Sequence, residues 1–232
     1  MSNSKDVIKK RYAKALEKTV DEDLSCSCSE EVTDSEESSC CAPSSDSKPK
    51  KAIRIPSFGS TINLADKADL KEGDVVVDLG SGPGHDLFSA AKIVGPAGIA
   101  IGIDFTPEMV DYATEKAEKM GLDNVSVYQG DIENLPLEDN IADVIFSNCV
   151  INLTMDKQKV FNEAFRVLKP GGRLVDADMI ASSDLPESLQ KDKESWCGCV
   201  AGALTEQGYV EKIKKAGFTD VKVNIESTGK IK

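Results

Sequence analysis

Five residues set the chemistry this chain can attempt. Asp78, Gly80, Gly82 and Gly84 lie in Val75-Val76-Val77-Asp78-Leu79-Gly80-Ser81-Gly82-Pro83-Gly84, and Asp104 closes the run Ile101-Gly102-Ile103-Asp104, twenty residues after Gly84. Glycines alternating at the end of an apolar run let the backbone turn sharply and approach a ligand, and the later acid can accept hydrogen bonds from ribose hydroxyls. A dinucleotide fingerprint wants a further glycine at its sixth position, where this chain has His85. A glycine turn lined by Asp78 suits a ligand with an amino-acid tail and no phosphate. S-adenosylmethionine has such a tail, with a ribose and an adenine. The plain alternative is a strand-to-helix turn that binds nothing; Asp104 and further acids weigh against it.

Other candidates close later apolar runs. In Gly130-Asp131-Ile132-Glu133, Asp131 can accept from an adenine amino group or cap a helix, and Ile132 can cover a ring face. Asn148 and Cys149, after the run ending at Ser147, would face the methionyl part and the transferred methyl. Met109, one turn beyond Asp104, packs either on the adenine or in the core. The expected cofactor set is Asp78, Gly80, Ser81, Gly82, Gly84, Asp104, Phe105, Met109, Asp131, Ile132, Glu133 and Asn148.

Seven cysteines are many for a chain of this kind, and their odd number does not suit a closed disulfide framework. No pair shows two intervening residues and the single histidine is His85, so no structural zinc site is expected. Cys149 alone would read as a small buried hydrophobe. Several thiols gathered around a methyl donor point instead to a soft, thiophilic substrate. Cys197 and Cys199 would point about 200° apart if residues 196–200 were helical, so that only one could face the site.

The elements that must hold these residues follow from periodicity. Residues 7–20 carry Ile8, Tyr12, Ala15, Leu16 and Val20 at helical spacing, which predicts an amphipathic helix docked on the core or covering the cofactor. Residues 21–49 hold nine Ser, nine acids and four Cys (Cys26, Cys28, Cys40, Cys41) with almost nothing apolar, and so predict a mobile arm. From residue 53 strands are expected at 74–79, 99–104, 125–129, 142–147, 173–179 and 219–226. Helices are expected at 85–94, 107–120, 156–168, 186–200 and 206–216. Such alternation predicts an α/β, Rossmann-like sandwich with a mostly parallel sheet between helices. The expected division is an N-terminal helix and arm over 1–52 and a cofactor-binding domain over 53–232. A net charge of −12 disfavours nucleic acid as a partner. The absence of a long apolar run or a signal-peptide core predicts no membrane partner and a cytoplasmic protein.

The glycine motif and Lys169-Pro170-Gly171-Gly172 resemble those of class I methyltransferases. More specifically, Asp104-Phe105-Thr106-Pro107-Glu108-Met109, Ile132-Glu133-Asn134-Leu135-Pro136, Ser147-Asn148-Cys149-Val150-Ile151-Asn152-Leu153 and the span Cys199 to Ala203 resemble arsenite S-adenosylmethionine methyltransferases. The resemblance covers about residues 72–224. It implies that Cys149 and Cys199 bind trivalent arsenic as the catalytic thiols, that S-adenosylmethionine gives the methyl group, and that the role is arsenic detoxification. It also implies a thiol reductant, thioredoxin or glutathione, to reopen the disulfide formed when pentavalent arsenic is reduced. A further family cysteine is expected where this chain has Ser60, which cannot form a disulfide; Cys40 and Cys41 on the arm are candidates to replace it. The family fold would continue into an antiparallel seventh strand beyond Lys232. Two other functions fit the same residues: a methyltransferase for another small molecule, with the cysteines as packing, and a non-catalytic, thiol-rich arsenite binder.

Overall fold

The computed structural model describes residues 6–14, 16 and 63–225. Cys26, Cys28, Cys40, Cys41 and Ser60, and so most of the proposed arm, lie outside the described residues. A helix over 6–14 (α1) is followed in the described core by α2 (Leu64–Lys67), β1 (Val75–Leu79), α3 (His85–Val94), β2 (Ile99–Asp104), α4 (Pro107–Lys119), β3 (Val125–Gln129) and β4 (Ala142–Asn148). A 3-10 turn at Ile151–Leu153 leads to α5 (Lys157–Val167), β5 (Leu168–Ala177), α6 (Glu187–Gln190), α7 (Lys193–Cys197) and α8 (Glu206–Ala216).

The five strands form one sheet in the order β3-β2-β1-β4-β5, and every neighbouring pair is parallel. This is the expected class I methyltransferase-like sandwich. Side chains alternate across a strand, so β1 serves both faces. Val76 packs with Val144, Phe146, Ala90 and Val94 on the side of α2 and α3, whereas Val77 and Leu79 pack with Ile103, Ile145 and the α5 residues Val160 and Phe161. Strands buried on both faces explain the unbroken run Val75-Val76-Val77. Phe161 is fully buried and stacks edge-on against Tyr209 of α8, so its truncation to Ala should cost roughly 3–5 kcal/mol.

Three expectations change. The helix expected over 186–200 is two short ones, because the Asp192 carboxylate accepts from the Ser195 N–H at 2.8 Å and starts a new turn. The fifth strand begins at Leu168 rather than 173, with a register shift opposite Ala142 and Val144. Residues 219–225 form no strand, so no sixth strand joins β5 among the described residues.

Candidate active site

Strand order reverses between β1 and β4, and in such sheets ligands bind beyond the strand ends at that point. Two sequences meet there: Gly80-Ser81-Gly82 after β1, and Asn148-Cys149 at the end of β4. Gly80, Gly82 and Gly84 all have positive φ (69°, 50° and 88°), a backbone that side chains other than glycine rarely adopt. A Cβ on Gly80 would lie 2.5 Å from Val150, so this glycine also lets the loop lie against the segment after Cys149. Among the described residues, nothing approaches the Cβ position of Gly82 within 4.0 Å except the Gly80 carbonyl.

The cleft above this crossing has two adjoining lobes that share Ile8, Gly80, Phe105, Val150 and Leu153. Asp78, Asp86, Asp104, Met109, Asn148 and Cys149 line the first; Gly130, Asp131, Ile132 and Thr154 line the second. Among the described residues three aspartates, Asp78, Asp86 and Asp104, line the first lobe and no lysine or arginine does. That lining fits S-adenosylmethionine, whose sulfonium and ammonium are cationic and which carries no phosphate, and the open space beside Gly82 fits a close backbone approach.

The acids are held firmly. Asp104 accepts from the Gly82 N–H through Oδ2 and from the Thr106 N–H through Oδ1, both at 2.9 Å. It therefore also clamps the glycine loop, a second duty that the sequence pattern did not disclose. Burial holds the Asp104 carboxyl above its ordinary pKa, against those two hydrogen bonds. Asp78 is raised well above its ordinary value, first by burial and then by the neighbouring Asp86 and Asp104 charges. A bound cation would relieve that repulsion. Asp86, missed in the sequence, accepts from the Asn148 Nδ2–H at 2.9 Å and so ties the α3 start to the end of β4. Its signal was an acid in the first turn of the helix after the glycine loop.

The other expected residues divide. Phe105, Met109, Asp131 and Ile132 line the cleft; Met109 is at the same time buried. Asp131 also caps its own turn, accepting from the Glu133 N–H at 3.0 Å. Glu133 turns elsewhere: its Oε1 accepts from the Met155 N–H at 3.1 Å, and it lines neither lobe. Gly84 caps α3 and lines neither lobe. Ile8 and Tyr12 of α1 lie over the cleft, so this helix docks on the core at the site itself.

Among the described thiols Cys149 lines the first lobe, while Cys197 and Cys199 line neither lobe and pack in the apolar cluster beside it. Cys149 has φ 57° and Cys199 φ 62°, both in the left-handed region that a branched or bulky side chain resists. Such outliers cluster where surrounding structure imposes them. The Cys149 N–H donates to the Ala177 carbonyl at 3.0 Å, and the Cys199 thiol donates to the Cys149 carbonyl at 2.9 Å. A hydrogen bond with the Cys149 side chain, burial and the Asp178 charge all push the Cys199 thiol upward from its ordinary pKa. The helical spacing of Cys197 and Cys199 does not apply, because α7 ends at Cys197, and Cys197, Cys199 and Cys149 share one apolar cluster with Ile8, Leu153 and Tyr12. Beneath them lies a polar group that periodicity could not reveal. Asp178 accepts from the Asn152 N–H at 3.2 Å, the Tyr209 hydroxyl donates to Asn152 Oδ1, and the Lys157 ammonium donates to the Thr154 carbonyl at 3.1 Å. Burial lowers Lys157 to about 8 and raises Asp176 to about 7.

Residues 70–218 match the model of the methyltransferase domain family. The chain is 44% identical over 156 residues to an arsenite methyltransferase of Halobacterium salinarum, a match spanning 67% of this chain and 40% of that protein. It is 41% identical over 158 residues to an arsenite methyltransferase of Aquipseudomonas alcaligenes, spanning 65% and 46%. The chain thus spans less than half the length of these curated relatives. Its fold is similar to the crystal structure of an arsenic (III) S-adenosylmethionine methyltransferase from Chlamydomonas reinhardtii, with a TM-score of 0.60 and 35% identity over 69% of this chain and 60% of that one. No helix among the described residues is long and apolar enough to cross a membrane.

Proposed function

This chain belongs to the methyltransferase domain family, and we propose that it transfers the methyl group of S-adenosylmethionine to trivalent arsenic held by the thiolates of Cys149 and Cys199. The observation that carries the reading is the pairing of two left-handed cysteines, joined through the Cys199 thiol and the Cys149 carbonyl, at the edge of an acid-lined cleft. The curated relatives named arsenite methyltransferase support the choice of substrate. We read residues 53–232 as the methyltransferase domain and 1–52 as helix and arm.

The cosubstrate supplies an electrophilic sulfonium methyl. Asp78, Asp86 and Asp104 hold the cationic ligand, while Asp131 and Ile132 receive its adenine end. Thiolates suit arsenic because both are soft. Thiolate-bound trivalent arsenic keeps a lone pair and carries no proton, so the chain needs no general base for the transfer. Its task is alignment: fixing Cys149 at the cleft wall and Cys199 behind it sets the nucleophile in place. Thioredoxin or glutathione is the proposed external reductant, and the protein's role is arsenic detoxification.

The test is product analysis with methyl-labelled S-adenosylmethionine and arsenite. Label in methylated arsenic supports the proposal. Label in an organic acceptor, or arsenite binding without transfer, overturns it in favour of another small-molecule methyltransferase or a binding protein.

A further inference from the structure

One buried cation beside the thiols has no part in the methyl transfer. Lys157 opens α5 and is only 6% exposed, although charged side chains are seldom buried. Burial lowers its ammonium to about 8, so an aliphatic residue of equal length would fill the same space at less cost. Its surroundings show what the charge reaches. The ammonium donates to the Thr154 carbonyl at 3.1 Å and to the Asn152 carbonyl at 3.5 Å, both on the turn that follows Cys149. The same ammonium lies 5.8 Å from the centroid of the Trp196 ring, on the segment that carries Cys199.

Trp196 connects that contact to the thiol. Its carbonyl accepts from the Cys199 N–H at 3.1 Å, and its indole N–H donates to the Gln190 carbonyl at 2.7 Å. The Val200 and Ala201 N–H groups both donate to the Ser195 carbonyl, so the segment curls on itself where Cys199 turns through φ 62°. The far end of the curl presses on the same turn. A Cβ on Gly202 would fall on the Asn152 carbonyl oxygen and lie 3.0 Å from the Lys157 ammonium. Gly202 has no positive φ, so this position calls for space and not for a left-handed backbone. Asn152 cannot give way: it is fully buried, its Nδ2–H donates to the Met179 carbonyl at 2.8 Å, and its N–H donates to Asp178. Lys157 and the turn beneath it therefore seat both ends of the curl.

We propose that Lys157 is a positioning residue for the arsenic-binding pair, holding the Trp196 end of the Cys199 segment on the turn after Cys149; the inference rests on the arsenic reading above. Arsenite binding forms two As–S bonds, and each thiol proton leaves with a displaced hydroxyl as water. Once Cys149 has made the first bond, the second forms within one molecule, and its strength depends on how firmly Cys199 is already held nearby. With the curl seated by Lys157, that segment need not be ordered at the moment of binding. Lys157 lines neither lobe of the cleft. Its effect therefore falls on arsenite affinity and leaves cofactor affinity alone.

The experiment uses the full chain, reduced and then freed of small thiols. Arsenite affinity is measured by equilibrium dialysis and S-adenosylmethionine affinity by calorimetry, in the wild type and in Lys157→Met, Trp196→Leu and Trp196→Phe. Lys157→Met should weaken arsenite binding at least about tenfold while cofactor affinity stays within about twofold. Trp196→Leu should weaken arsenite binding in the same way, and Trp196→Phe, which keeps a ring beside the ammonium, should recover most of the loss. Unchanged arsenite affinity in Lys157→Met overturns the positioning role. If Lys157→Met loses both affinities together, the fold has failed and the Trp196 pair decides: loss in Leu with recovery in Phe supports the role, and equal behaviour of the two overturns it. A wild-type chain that does not bind arsenite overturns the arsenic reading, and this inference with it. Wild-type binding that is lost in Cys199→Ser but untouched in Lys157→Met overturns the positioning role alone.

Discussion

The two halves of the site are built by different means. Most of the cofactor half comes from consecutive units of the sheet, β1, its glycine turn, β2 and the turn into α4 within residues 75–109, with Asp131 and Ile132 after β3 added in the second lobe. The thiol half joins Cys149 at the end of β4 to a curled segment fifty residues later, roofed by a helix from residues 6–14. The first half rests on near neighbours and backbone amides, as in the Asp104 clamp on Gly82. The second depends on two left-handed cysteines held by long-range packing. Cofactor affinity and arsenic chemistry should therefore be separable by mutation, except where the halves touch.

The sharpest separation is expected at the thiols. Cys149→Ser and Cys199→Ser should each lower arsenic methylation by at least about 100-fold, or ~2.7 kcal/mol of barrier. Cofactor affinity by calorimetry should stay within about twofold, because the acids and glycine loop are untouched. A large fall in cofactor binding would show that the halves are not distinct.

Gly80 is where they touch. Gly80→Ala adds a methyl group 2.5 Å from Val150, next to Cys149, and strains a backbone at φ 69°. It should weaken cofactor binding and methylation together, by about 2–3 kcal/mol in all. Adding Val150→Ala should recover part of the loss by removing the clash. Complete absence of recovery would assign the effect to backbone strain.

Asp104→Ala should weaken cofactor binding by about 1–3 kcal/mol, through loss of a charged acceptor and of the Gly82 clamp. Arsenite binding measured by equilibrium dialysis should be unchanged. Unaltered cofactor affinity in this variant would remove Asp104 from the site.

A smaller effect lies beneath the thiols. Burial raises the Asp176 carboxyl to about 7 in the folded chain, above its ordinary value of 3.8, so between these values the folded state binds more protons than the unfolded state. This contribution to stability is therefore full below about pH 4 and lost as pH rises through 7. Thermal unfolding should show stability falling by roughly 2 kcal/mol between pH 5 and pH 8, with a flatter profile in Asp176→Asn. An unchanged slope in the variant would assign the pH dependence to other groups.

Legibility in the sequence follows the same divide. Strand runs such as Val75-Val76-Val77 and Val144-Ile145-Phe146 announce buried parallel strands, and alternating glycines announce the turn, because these signals are local. Asp86 was missed because its partner, Asn148, is 62 residues away. Asp176, Asp178, Lys157 and Tyr209 were missed for the same reason: no periodicity marks a polar group that tertiary packing assembles. The opposed directions of Cys197 and Cys199 were conditional on a helix through residues 196–200, and α7 ends at Cys197, so that helical spacing does not apply. The expected strand at 219–226 was an apolar alternation, Val221 and Val223 followed by Ile225, without a neighbouring strand to pair with it among the described residues.

The central claim is that Cys149 and Cys199 together hold one arsenic atom. Arsenic-edge X-ray absorption on the arsenite-loaded full chain, freed of small thiols, tests it most directly. The account predicts at least two sulfur ligands in the wild type and one fewer in each of Cys149→Ser and Cys199→Ser. An all-oxygen environment in the wild type, or an unchanged sulfur count in either variant, would contradict it.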